Sequence, residues 1–170
     1  MLRALGRLHD AVTAASFAAA AACVAIITGS FAYEVVARYF FGAPTSWAYD
    51  LSSYALCPMI FLAIPAMTQQ RAHIAVAYLV EGLPGVFRHR AALAVAVVAM
   101  LVCFFAAWIT GAETWRQYVS GTETISANPI SKWWVSIFIP YGLLSCALYF
   151  MRQTFSGSGA LPAPLEGVPQ

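Results

Sequence analysis

Charge is what this 170-residue chain has least of: Asp, Glu, Lys and Arg together make up 9% of it, against 61% hydrophobic residues. A water-soluble surface cannot be assembled at those proportions, so the sequence reads as an integral membrane protein. Charge is missing altogether from four stretches: Ala11 to Tyr33, Leu51 to Gln70, Ala91 to Ala112, and Trp133 to Met151. Each holds about 19 to 23 residues, enough for a helix rising about 1.5 Å per residue to cross a hydrocarbon core of roughly 30 Å. Lipid offers the backbone no hydrogen-bond partner, so all four are expected to be helices. The net charge of +2 is small and scattered, which gives nucleic acid no footprint.

Other absences narrow the function. Cys23, Cys57, Cys103 and Cys146 fall one to a span, without a Cys-x-x-Cys pair; redox or metal chemistry needs clustered thiols, and small-residue packing accounts better for these. His9, His73 and His89 all lie outside the apolar runs, so they cannot face one another across a haem. Glu34, Asp50, Glu113 and Glu123 gather at one boundary and Asp10, Glu81 and Glu166 at the other, which leaves the midplane without an ionisable residue. Transport sites and proton relays show as polar groups inside spans. No Ser-His-Asp arrangement, phosphate-cradling loop or metal-ligand spacing occurs either. The expectation is a non-catalytic helper with no cofactor and no metal.

What is present defines the organisation: an all-α membrane protein whose four-helix domain covers residues 1–152, with spans of about 11–36, 46–70, 91–113 and 133–152. The first span follows Arg3 and Arg7 as a secretion signal would, but its apolar run is too long for one and it is expected to be retained. Ala14, Ala18 and Ala22 within it recur every four residues and would let a neighbouring backbone approach closely. Pro58 and Pro65 in the second span and Pro140 in the fourth leave carbonyls without donors and read as kinks against partner helices. Residues 73–90, interrupted by Gly82, Pro84 and Gly85, are expected to form a short cytoplasmic interfacial helix. Gly121 to Lys132 reads as an exposed loop closed by the Trp133-Trp134 pair, and residues 153–170, rich in Ser, Gly and Pro, as a disordered tail. Six basic residues (Arg3, Arg7, Arg71, Arg88, Arg90, Arg152) fall on one side and three (Arg38, Arg116, Lys132) on the other, so both termini are expected in the cytoplasm.

The link from Arg38 to Leu51 is the most distinctive segment. Pro44 stops the first helix, Ser46 is placed to cap the second, and Asp50 stands in its first turn, where the helix dipole favours an acid. Glu34 and Arg38, one turn apart, can pair across the surface. Arg38 and Asp50 face each other across the link and could instead form a salt bridge that fixes the hairpin; otherwise Arg38 snorkels, Trp47 belongs to the aromatic belt, and Asp50 caps a helix.

Arg38-Tyr39, Phe41, Pro44, Trp47 and Asp50-Leu51, followed by Arg71, His73-Ile74 and Val76, resemble the pattern of the small membrane subunit of tripartite ATP-independent periplasmic (TRAP) transporters. The likeness covers residues 34 to 84, and Pro140-Tyr141-Gly142 in the last span is consistent with it. Ala77 departs from the family, which often carries an acid shortly after the His-Ile pair. The resemblance implies a subunit of a sodium-driven carrier for organic acids in the bacterial inner membrane. It further implies a fixed scaffold beside a large permease subunit that holds the substrate and ion sites, fed by a periplasmic solute-binding protein. Arg38, Trp47, Asp50, Arg71 and His73 are the candidate structural and interface residues. The alternatives from other classes are a four-helix redox or enzyme subunit and an unrelated assembly factor; neighbouring genes for a large permease and a secreted binding protein would favour the first reading.

Overall fold

A computed structural model describes residues 2–69, 85–126 and 128–155. Its helices are α1 (Leu2–Phe41), α2 (Trp47–Gln69), α3 (Gly85–Ser120), the single turn α4 (Trp133–Ser136) and α5 (Phe138–Phe155). Four segments are long and apolar enough to cross a membrane, the last combining α4 and α5. The all-α, four-span class expected from the sequence is therefore what the chain builds. The helices overrun the charge-free stretches. At about 1.5 Å per residue, α1 is roughly 60 Å long and projects well past a hydrocarbon core of about 30 Å.

The described part of the interfacial segment differs from expectation. Residues 85–90 are not part of a separate element; they are the opening turns of α3, because nothing after Gly85 breaks the helical run. The rest of that expected helix, with Arg71 and His73, lies outside the described residues, as does residue 156 onward of the expected tail.

Helix ends follow local chemistry. Gly42 ends α1 with φ +61, and the Ala43 N–H beyond it donates to the Ala37 carbonyl at 3.1 Å. Gly121 ends α3 with φ +60; its N–H reaches Tyr118 O (3.4 Å), while Thr122 N–H reaches Gln117 O (3.3 Å). That paired pattern is the one a left-handed glycine permits at a helix end. Between Ser136 and Phe138 the last span breaks because Pro140 has no N–H for the Ser136 carbonyl. Thr114 of α3 supplies a hydroxyl to that carbonyl instead, at 3.4 Å.

Packing runs α1 to α2, α2 to α5, and α5 to α3, with α1 and α3 outermost. Thr13, Ser16, Ala20, Ser30 and Ala37 make the buried face of α1, small enough for close approach. Ala14, Ala18 and Ala22 lie on its exposed side, so they make no packed face within this chain. The α2–α5 crossing is close at one point. Pro65, fully buried, cannot donate to the Phe61 carbonyl, and Gly142 lies directly against that carbonyl: a Cβ there would overlap it. A proline-freed carbonyl thus meets a residue with no side chain, a geometry that suits a Cα–H···O contact.

Gly142→Ala should therefore force α2 and α5 apart and destabilise the chain by about 1–3 kcal/mol, the usual scale of overpacking. Thermal unfolding in detergent measures it, and an unchanged midpoint would show the crossing to be looser than described.

Candidate functional site

Polar chemistry is concentrated at the two ends of the bundle. Every described Asp, Glu, Lys, Arg and His stands within about three turns of a helix end or in the 121–132 loop.

At the hairpin end, Glu34 is the organiser. One carboxylate oxygen accepts from Arg38 Nη2 at 2.6 Å and Nε at 3.1 Å. The other accepts from the Thr45 N–H at 2.8 Å and from the Thr45 hydroxyl. One side chain thereby ties the end of α1 to the loop that follows it, and the Glu34–Arg38 pair expected from the sequence is present. Arg38 keeps its side chain 60% exposed, against 12% for Glu34, as a snorkelling arginine would. Trp47 opens α2 with its ring 5.6 Å from Tyr33, partly exposed as expected of a belt residue.

Asp50 has a different partner from the one expected. It is buried, and its Oδ2 accepts from the Asn128 N–H at 2.9 Å and from Asn128 Nδ2 at 3.2 Å. Arg38 is committed to Glu34 on its own helix, so the Arg38–Asp50 bridge is not what the structure builds. A carboxylate with two N–H donors at hand does not require a cation. Asp50 thus fastens α2 to the loop joining the second pair of helices.

Tyr54, one turn further on, completes that fastening. Its hydroxyl donates to the Asn128 carbonyl at 2.8 Å and sits 3.0 Å from Thr124 Oγ1, with Ser126 Oγ also against it. An isolated antiparallel bridge between Glu123 and Ser131 narrows the loop. On the far side, Ser136 Oγ donates to Gln117 Oε1 at 2.8 Å, and the Trp133 ring meets Tyr118 edge-on at 5.3 Å and Trp134 at 5.1 Å.

At the opposite end, where α1 begins and α5 finishes, a second cluster forms. Arg152 Nη1 donates to Asp10 Oδ1 at 2.7 Å. The Tyr149 hydroxyl donates to the same oxygen at 3.0 Å and lies 2.9 Å from Thr13 Oγ1. His9 Nε2 lies 2.8 Å from Ser145 Oγ, and deeper in the bundle the Ser16 and Tyr141 hydroxyls meet at 2.5 Å. None of these residues was singled out by motif. Only their helical spacing (His9, Thr13, Ser16 on one helix; Tyr141, Ser145, Tyr149, Arg152 on the other) could have signalled two facing polar stripes.

Among the described residues no group of His, Cys, Asp or Glu could hold a metal ion. The two clusters use their polar groups on one another, an arrangement that fastens helices. A four-span bundle laced at both ends, with no Asp, Glu, Lys, Arg or His in the middle of its described spans, defines a multi-pass membrane protein. The chain belongs to the DctQ component of the tripartite ATP-independent periplasmic transporters, whose family model matches residues 27–158, more than half of the sequence. No curated protein matches it. It is therefore the small permease component of such a transporter, working with other components of that system, and its family is a transporter family and not a known enzyme family.

The partners now visible set the expected couplings. Asp50→Ala strands the Asn128 N–H groups and should cost about 1–3 kcal/mol. In double-mutant cycles on thermal stability, Asp50→Ala with Asn128→Ala should lose less than the sum of the single changes, whereas Asp50→Ala with Arg38→Ala should be additive. Coupling in the second cycle and none in the first would restore the direct bridge.

Proposed function

We propose that this chain is the non-catalytic scaffold of a sodium-coupled TRAP carrier for organic acids in the bacterial inner membrane. It holds the large permease subunit in place, and its hairpin end contributes to a periplasmic surface on which the solute-binding protein docks. The observation that carries the reading is the placement of ionisable groups at the two ends of the bundle, with only apolar and hydroxyl side chains between them. A carboxylate or sodium ion in mid-membrane needs compensating charge or helix-end dipoles, and a single unpaired charge there costs on the order of 3 kcal/mol or more. The substrate and ion sites therefore belong to the partner.

Two features support the scaffold role. Ala14, Ala18 and Ala22 remain exposed on the outer side of α1, a surface that suits close packing by another membrane helix. The end clusters fasten α1 to the hairpin link, α2 to the 121–132 loop, and the first span to the last, so the unit can act as a fixed body. The basic residues support the orientation: Arg7, Arg90 and Arg152 lie at the end where the chain begins and α5 finishes, which favours both termini in the cytoplasm and the hairpin outside.

In mild detergent the tagged chain, produced with its neighbouring transporter genes, should purify as a stable complex with a larger membrane subunit; recovery of the tagged chain alone would overturn the scaffold role. Proteoliposomes containing this chain by itself should neither bind nor accumulate carboxylates under a sodium gradient. Uptake by the lone subunit would contradict the assignment of the sites to the partner.

A further inference from the structure

The first and last spans touch in an unusual way. α1 and α5 do not pack backbone to backbone among the described residues, yet their ends are joined by side chains from both, and His9 is the one member whose protonation changes in the physiological range. The His9 ring is stacked on Tyr149 with centroids 4.3 Å apart. Its Nε2 is 2.8 Å from Ser145 Oγ, and its Nδ1 is 3.5 Å from Arg152 Nη1. A guanidinium has only donors to offer, so the nitrogen turned toward it is the one that carries the lone pair, and the ring proton resides on Nε2, donated to Ser145. Arg152 is itself held by Asp10 at 2.7 Å and lies over the Tyr149 ring at 5.4 Å, so it cannot turn aside without giving up both.

We propose that His9 is a proton-operated latch between the first and last spans: neutral, it holds the ends of α1 and α5 together, and on taking a proton from water at Nδ1 it releases them. The added proton places an N–H, and a positive charge, against the Arg152 guanidinium at a distance where like charges repel. The charged and titratable groups facing the ring among the described residues are Asp10 of its own helix and Tyr149 and Arg152 of α5. α2, packed against both helices, ends nearby in Thr68 and Gln69, neither of them titratable. Asp10 is already bonded to Arg152 and Tyr149, so its charge is shared before the histidine protonates. Gly6, one turn before His9, would put a Cβ 3.0 Å from Arg152 Nη2, which leaves the guanidinium little space to retreat. A folded state that excludes a proton accepted by the unfolded chain gains stability as pH rises. The latch is therefore closed above the ordinary histidine range of about pH 6.5, and its contribution is lost as pH falls below that range.

The test is thermal unfolding of the full chain in detergent at pH 8 and at pH 5.5. The wild type should melt several degrees lower at the acid pH, and His9→Gln, which keeps a donor for Ser145 but cannot titrate, should lose most of that difference although His73 and His89 remain. Arg152→Gln gives a sharper outcome. With the cation gone and Asp10 freed, a protonated His9 gains an acid partner, so acidification should raise the midpoint instead of lowering it. Equal pH dependence in the wild type and His9→Gln would overturn the latch; should His9→Gln fail to fold, acid destabilisation that persists unchanged in Arg152→Gln would overturn it as well.

Discussion

A polar group placed where water is scarce must find its partner within the protein, and the architecture here follows from that constraint. The spans satisfy it by carrying few polar groups away from their ends: a hydroxyl there bonds back to its own helix, as Thr110 does to the Ala106 carbonyl at 2.7 Å, or meets a hydroxyl of another helix, as Ser16 does Tyr141 at 2.5 Å. At the ends, where charge is tolerated, acids are shared among several donors. Glu34 serves Arg38 and Thr45, Asp50 serves both nitrogens of Asn128, and Asp10 serves Arg152 and Tyr149. Each acid joins two segments that would otherwise splay, and the bundle is fastened from its ends inward.

Proline follows the same logic from the backbone side. Pro65 and Pro140 each free a carbonyl, and each freed carbonyl lies at a helix contact: Phe61 against Gly142, Ser136 against the Thr114 hydroxyl. Of the three prolines expected to act as packing features, Pro65 and Pro140 are thereby tied to named partners.

Much of this was legible in the sequence because it is local. Length and hydropathy locate the spans, a four-residue spacing pairs Glu34 with Arg38, and Gly121 to Lys132 reads as a loop because glycine and proline interrupt it. The order of residues around Arg38, Trp47 and Asp50 identifies the family. What could not be read is what depends on distant segments meeting. Asp50 and Asn128 are 78 positions apart, and nothing near Asp50 names Asn128 as its partner, so the local sequence offers only Arg38 or a helix-start role for it. The cluster of His9, Asp10, Tyr149 and Arg152 unites opposite ends of the chain and has no motif. The outward turn of Ala14, Ala18 and Ala22 depends on which face of α1 meets α2, and a helix lined with small residues on several sides leaves that choice open.

The central claim is that this subunit stays rigid while its partner does the transporting. Spin labels at Val24 of α1 and Val102 of α3, both exposed on the outermost helices, would report the width of the bundle within the assembled transporter. The distance distribution should be the same with and without sodium and substrate, at neutral pH. A shift of several ångström on adding either would mean that the four helices move with the transport cycle, and the scaffold account would be wrong.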